Sequence, residues 1–548
     1  MFKKINRAIA LLAFIVIPAL SFSQDAPPET KKGLDQRINE AFQPVTDATS
    51  NIVFYSINIG GVSIPLIVML LALGALFFTL AFRFVNIRLF GLAIKVVRGK
   101  YDDLEKDATP VSSSAVNVAN GDIVDTIKNE SHHGEVNHFQ ALATAVSGTV
   151  GLGNIAGVAV AIAIGGPGAT FWMIVCGLIG MSSKFVECTL GVKYRDIDKN
   201  GVVYGGPMYY LKKGFAEKNL AGLGKVLAGL FAILCVGGSF GGGNAFQSNQ
   251  AAQQIVSMTG MTGSSAGFII GVILAIITGI VIIGGIKKIA TVTEKIVPFM
   301  AILYIVASLI IIFANFSFID DAFRMIFTEA FSPRAGLGGL MGVLIIGFRR
   351  AAFSNEAGAG SASIAHSAVK TKYPASEGVV SLLEPFIDTV VICTMTALVI
   401  IIFNKDGVMF PYGGDGRGAV ILNENGASVS GVDLTSIAYN QVIPHFSYVL
   451  TIAIVLFAFS TMISWSYYGL QAWKYLFGRS KAADLSYKIL FLLFVVIGAS
   501  VSLTAVTDFS DAMILAMVFP NMIGLLFLFP RVREELKRYL TAIKNFKK

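Results

Sequence analysis

Two runs of this chain crowd glycine and small polar residues into otherwise apolar stretches: SGTVGLGNIAG at 147–157 and GFRRAAFSNEAGAGSAS at 347–363. Each glycine weakens a helix by up to about 1 kcal/mol relative to alanine, so two such clusters require a purpose. Backbone that unwinds in apolar surroundings leaves N–H and C=O groups without helical partners, tolerated only where protein, ligand or ions satisfy them. Free N–H groups and positive half-helix ends suit a carboxylate, while free carbonyls and hydroxyls suit a dehydrated cation. In the first run Thr149 and Asn154 can add side-chain oxygens for such a cation, and Gly151 and Gly153 let a ligand reach the main chain. The chemistry defined is non-covalent: a zwitterion held beside a cation.

Two further segments can close a pocket. GGSFGGGNAFQSNQAAQQ at 237–254 interrupts an apolar helix, so Asn244, Gln247, Asn249 and Gln250 cannot all face lipid cheaply. FAFSTMISWSYYGL puts Ser460, Thr461 and Ser464 on one helical side, with Trp465 one turn beyond Thr461. Hydroxyls there complete an ion site and an indole walls a small pocket; the plainer use of each hydroxyl is a bond to its own helix. Glu187 and Glu356 are costly in a membrane without partners, and Arg349 and Arg350 are the nearby candidates for an internal salt bridge or gate.

The elements that position these residues follow from composition. With 548 residues, 54% apolar, 14% charged, and mean hydropathy +0.70, the chain cannot hide its apolar surface in one water-soluble core, where about a quarter of residues are charged. Its net charge of +9 sits in short patches between apolar runs rather than in a basic stripe, which reads as membrane topology and excludes nucleic acid as a partner. Cys176, Cys188, Cys235 and Cys393 lie in apolar segments without CxxC spacing and read as buried small hydrophobes. His132, His133, His138, His366 and His445 show no metal-ligand pattern. No HExxH, nucleophile elbow or P-loop is present, so no enzyme chemistry, ATP-driven pumping or cofactor is expected. No obligate protein partner is evident either.

Residues 1–23 read as a secretory signal and 24–60 as a periplasmic segment; 61–530 forms the membrane domain with its core from about 139, and 531–548 is a basic cytoplasmic tail. Eleven apolar segments fall near 61–83, 139–165, 168–194, 223–258, 265–286, 294–315, 336–368, 378–403, 445–473, 485–507 and 510–530. Alternate loops are rich in Lys and Arg, which places the N-terminus outside and the C-terminus inside a bacterial inner membrane. One helix followed by ten invites five-plus-five inverted repeats with broken first helices, and the two glycine runs occupy those corresponding positions. The fold class expected is therefore an all-α membrane protein of eleven transmembrane helices. Close packing through small residues is the rival use of the glycines. A channel would need a polar ring through several helices, whereas the polar residues here gather at two breaks.

The runs GTVGLGNIAGVAVAIAIGGPGATFWM (148–173), GMSSKFVECTLGVKYR (180–195), GGPMYYL (205–211), GGGNAFQSNQ (241–250) and FSNEAGAGSASIAHSAV (353–369) resemble the alanine or glycine:cation symporter family, also called sodium:alanine symporters. The resemblance covers roughly 60–530 and implies the leucine-transporter fold, with sodium-coupled import of a small neutral amino acid, alanine or glycine, by alternating access. Proton coupling or export on the same fold is the alternative. Val150 to Asn154 reads VGLGN, as in the amino-acid transporters of the wider superfamily. By that likeness Gly151 and Gly153 meet the substrate carboxylate, Thr149 borders the substrate as well, and Thr149 and Asn154 occupy one sodium site. The carbonyls of Ser147 and Val150 with Ser460 and Thr461 resemble the other, while Trp465, Phe246 and Gln247 border the side-chain pocket. Ala351 and the Gly358-Ala359-Gly360-Ser361-Ala362-Ser363 run depart from the family pattern and put bending of that helix in doubt.

Overall fold

The computed structural model describes residues 34–59, 62–106, 118–119, 122–123, 134–198, 201–261, 265–331, 339–414, 416–443 and 446–546. The expected signal segment, His132, His133, His445 and much of the 101–135 stretch lie outside them. The described chain is helical, and its strands pair only as short antiparallel hairpins, such as 56–59 with 62–65, where Ser56 faces Pro65.

Apart from short helices at Val85–Arg88, Phe90–Val97, Asp102–Lys106 and Leu383–Pro385, the α-helices in order are α1 (Leu34–Val53), α2 (Leu66–Ala81), α3 (His138–Thr149), α4 (Val158–Gly165), α5 (Gly168–Lys193), α6 (Pro207–Ala216), α7 (Ala221–Phe240), α8 (Phe246–Thr259), α9 (Ala266–Ile282) and α10 (Gly285–Ala314). Then come α11 (Ile319–Ala330), α12 (Gly339–Asn355), α13 (Ala362–His366), α14 (Pro374–Val380), α15 (Thr394–Phe403), α16 (Gly431–Val442), α17 (Phe446–Phe477), α18 (Lys481–Ser500), α19 (Leu503–Ala516) and α20 (Val518–Phe546). Among the described residues seven helical stretches are long and apolar enough to cross a bilayer, eight if α3 and α4 count as one bent span; α2 and α9 are shorter apolar helices.

Lipid contact is written in the spacing of exposed apolar side chains. On α9 Ile269, Ile273, Ile276 and Ile280 are exposed, and on α10 Phe299, Ile302, Val306, Ile310 and Phe313. Steps of three and four residues put each set on one face, and leaving each such side chain in water costs about 1.5–3 kcal/mol. Opposite faces, such as Ile270, Leu274 and Thr278 of α9, are buried against the bundle. Helix starts follow local chemistry: Asn137 and Gln140 form a reciprocal capping box at α3, and the Ser480 and Ser502 hydroxyls accept the Ala483 and Ala505 N–H groups at α18 and α19. The structure adds helices absent from the sequence reading, notably α1, which packs on α19, and α16 within the 404–440 insert. The basic 531–546 stretch continues α20 as helix.

Candidate functional site

Both glycine runs are breaks. The first bends the chain by 51° between α3 and α4. α3 ends where Val150 leaves helical geometry (φ −77°, ψ 83°), and Gly153–Gly157 winds as a single wide turn before α4. The freed groups are satisfied locally: the Gly151 N–H donates to Asn154 Oδ1 at 2.9 Å and the Leu152 N–H to Gln247 Oε1 at 2.9 Å. Gly151 is required here, because a Cβ would run into Thr461 Oγ1 and Gln247 Oε1.

The second break falls at 356–361, between helices that end at Asn355 and resume at Ala362, so the helix is interrupted despite the serine and alanine departures. Three residues there take left-handed angles, Glu356 (φ 54°), Gly358 (φ 88°) and Gly360 (φ 90°). For Glu356 that conformation costs about 1–3 kcal/mol, which its fixed carboxylate offsets: Oε1 accepts the Trp465 indole N–H at 2.9 Å and Oε2 the Ser361 hydroxyl. A third irregularity, Gly241–Ala245, joins α7 to α8, and a Cβ at Gly243 would overlap the Trp465 indole.

The three irregularities meet around a narrow cavity lined by Gly148, Thr149, Gly153, Gly242, Gln247, Phe353, Glu356, Trp465 and Ile514. Of the expected substrate residues, Thr149, Gly153, Gln247 and Trp465 line it. Gly151 lies beside it, and Phe246 stands one layer back, its ring edge-on to Phe353 at 5.1 Å. The Thr149 hydroxyl turns to its own helix, donating to the Ala145 and Val146 carbonyls at 3.3 and 3.4 Å. Of the polar third-segment residues, Gln247 alone among those named lines the cavity. Asn244 donates to the Phe491 carbonyl, Asn249 to those of Gly498 and Val501, and Gln250 accepts the Val432 N–H, so these three tie helices together.

Two oxygen-rich corners flank the first break. At one, Thr461 Oγ1 donates to the Ser147 carbonyl at 2.9 Å, Ser147 Oγ to the Ser460 carbonyl at 2.7 Å, and Ser464 Oγ to Ser147 Oγ at 3.0 Å. Val150 is buried in the adjoining turn, and the Ser460 hydroxyl bonds the Phe457 carbonyl of its own helix. At the other corner Asn154 Nδ2 donates to Asp388 Oδ1 at 2.6 Å, and Ser354 and Thr389 hydroxyls donate to Asp388 Oδ2 at 2.8 and 2.6 Å. Asp388 is fully buried and bridges the two breaks. The sequence reading passed over it, although the rule that singled out Glu187 applies equally to an aspartate in the apolar run FIDTVVIC. Cys393 is buried as expected but is no apolar filler: its Sγ lies 3.3 Å from both Asn154 Nδ2 and Ser354 Oγ.

The expected partnership of the acids with Arg349 and Arg350 is corrected. Arg349 reaches Asp511 at 2.8 Å and Asp508 at 3.7 Å, and Arg350 also pairs with Asp511. Glu187 is 3.8 Å from Lys184, one helical turn away on α5, and accepts Asn521 Nδ2 at 3.2 Å. Lys184 in turn donates to Glu384 at 2.9 Å. Of the two acids only Glu356 lies near these arginines in sequence, and the helix that carries Arg349 and Arg350 runs unbroken to Asn355, so six residues of helical turn set Glu356 on a different side from Arg350.

Apolar helices with a lipid-facing surface, broken around a polar cavity with oxygen-rich corners, define a polytopic membrane transporter. Residues 119–548 match the model of the sodium:alanine symporter family, and the chain belongs to that family. It is a transporter rather than an enzyme, one that moves an amino acid with a cation. It is 40% identical over 481 residues to the sodium/alanine symporter AgcS of Methanococcus maripaludis, covering 88% of this chain and 95% of that protein. It is also 32% identical to the probable sodium/glutamine symporter GlnT of Bacillus subtilis, over 86% and 87% of the two chains. Among solved structures it is similar to MhsT in complex with L-phenylalanine, with 14% identity, a TM-score of 0.45, and coverage of 73% of this chain and 99% of that one.

Proposed function

We propose that the chain imports a small neutral amino acid, alanine or glycine, together with sodium by alternating access in a bacterial inner membrane. In this reading eleven helices cross the bilayer, the N-terminus periplasmic and the C-terminus cytoplasmic, and ten of them form inverted repeats on the leucine-transporter plan. The observation that carries it is the meeting of two helix breaks at one cavity. The main-chain N–H groups at Gly151 and Gly153 receive the carboxylate, Gly151 exchanging its bond to Asn154 for it, and Glu356, a cavity-lining carboxylate, receives the ammonium group. Trp465, Phe353 and Ile514 wall off the side-chain end and Phe246 backs Phe353, which favours a methyl or hydrogen over anything longer. Sodium takes the two flanking corners, one built from Asn154, Ser354 and Asp388 and joined by the Thr149 hydroxyl when it leaves its own helix, the other from Ser147, Val150, Ser460 and Thr461. No covalent chemistry is required.

Uptake of radiolabelled alanine and glycine into proteoliposomes, with sodium, lithium or potassium outside, tests the reading. Accumulation is expected only with an inward sodium gradient; uptake indifferent to that gradient removes the coupling. Pocket size is tested separately. Trp465→Ala removes an indole wall and the Glu356 bond, and should shift preference toward glutamine or leucine by roughly 10-fold or more over alanine, since each methylene a pocket admits or rejects is worth about 1–3 kcal/mol. Competition of unlabelled amino acids against alanine measures it, and an unchanged ranking places the side-chain pocket elsewhere.

A further inference from the structure

A buried string of ionisable groups runs away from the cavity, outside the site described above. Glu377 of α14 lies between two imidazoles, its Oε1 2.5 Å from His366 Nδ1 and its Oε2 against His138 Nδ1. His366 Nε2 faces Glu384 at 3.4 Å, Glu384 meets Lys184 at 2.9 Å, and Lys184 meets Glu187 at 3.8 Å. An imidazole facing carboxylates through both nitrogens donates through both and so carries both protons. With His138 also protonated, three positive groups face three carboxylates and the string is neutral; without that proton it holds an uncompensated buried charge. Every side chain in it is fully buried except that of His138, which is 9% exposed. His138 is the first residue of α3, at the end away from the break, while His366 ends α13 beyond the second break. The string thus ties together the outlying halves of both broken helices.

The other charged groups packed there have their own partners. Glu294 of α10 accepts from Gln140, Glu135 accepts the Val203 N–H, and Arg195 donates to the carbonyls of Ser367 and Val369. Cys188 adjoins Glu187 on α5.

We propose that the His138 to Glu377 contact is the clasp of the gate on this face, closed while His138 is protonated and opened when α3 swings away from α13 and α14. This rests on the alternating-access reading, in which the face is cytoplasmic. Glu377 and His138 are positioning residues and touch neither substrate nor sodium.

Hydrogen–deuterium exchange of the peptide spanning 134–147, in the full chain reconstituted in lipid, tests it. After correction for intrinsic rates, wild type should exchange about 10-fold faster at about pH 9 than at about pH 6. His138→Gln should be fast at both, and His138→Lys, permanently charged, slow at both. A His138→Gln protein as protected as wild type at both pH values, or a His138→Lys protein that follows the wild-type pH curve, overturns the clasp. Should the glutamine variant fail to insert, the lysine variant against wild type still decides. Sodium-driven alanine uptake in the same vesicles is scored separately. Its absence in wild type defeats the transport reading, whereas pH-independent exchange with intact uptake defeats only the clasp.

Discussion

Asp388→Ala is expected to abolish sodium-stimulated uptake, by roughly 100-fold or more in initial rate, in protein that still reaches the membrane. Asp388 accepts hydrogen bonds from Asn154 beside the first break and from Ser354 beside the second, so it sets the distance between the two halves of the site. Its removal takes the carboxylate acceptor from the buried Ser354 and Thr389 hydroxyls, at about 1–3 kcal/mol each, and leaves Asn154 with the Asp388 carbonyl in place of the carboxylate. That loss alone would not separate an ion ligand from a brace. Asp388→Asn does: it keeps the shape and one acceptor oxygen but removes the charge. A cation held at this corner loses its only formal counter-charge there, so half-saturating sodium should rise at least 10-fold, about 1.4 kcal/mol. The measurement is initial alanine uptake against external sodium at fixed ionic strength. Wild-type sodium dependence in Asp388→Asn would remove this carboxylate from the ion site and leave it a brace. Asn154→Ala provides the parallel test from the other side of the same bond, and normal sodium dependence there would remove Asn154 as well.

How far the sequence reaches is visible at these residues. The breaks were legible because glycine density is a local signal: 147–157 and 347–363 read as weak helix before any fold is known, and each contains a break, the second confined to 356–361. Trp465 was legible because helical spacing sets it one turn from Thr461, and the structure puts it in the cavity wall. What stayed hidden depends on distance in space. Asp388 lies 234 residues from Asn154, and nothing local to FIDTVVIC names its partner. Arg349 and Arg350 misled for the opposite reason, since Arg350 and Glu356 are near in sequence but six residues of helical turn set them on different sides. The hydroxyl of Thr149 shows a further limit. Its residue type suits a cation, yet a bond to its own helix is always within reach, and only coordinates say which it takes. The family resemblance supplied alanine and sodium; physics alone reaches a small zwitterion with a cation.

Lys184→Met should cost about 3–5 kcal/mol, because breaking a buried ion pair leaves its partners charged and uncompensated. Methionine nearly fills the lysine volume, so little of the loss comes from a cavity. Lys184 is fully buried, and no other lysine reaches Glu384 or Glu187 among the described ion pairs. For a bundle of this size the cost should appear as a fall of roughly 5 °C in the melting temperature of the detergent-purified protein. The informative comparison is the triple variant Lys184→Met, Glu187→Gln, Glu384→Gln. Replacing a buried ionic set with neutral groups of similar shape is often harmless to stability, so most of the lost melting temperature should return. Uptake should not return with it, since the neutral string no longer charges His366 through Glu384 and the tie between α3, α13 and α14 is weakened. A triple variant that regained both stability and transport would make the string a mere filler of space. One that regained stability alone would show that these charges are kept for the movement they restrain rather than for the fold they occupy.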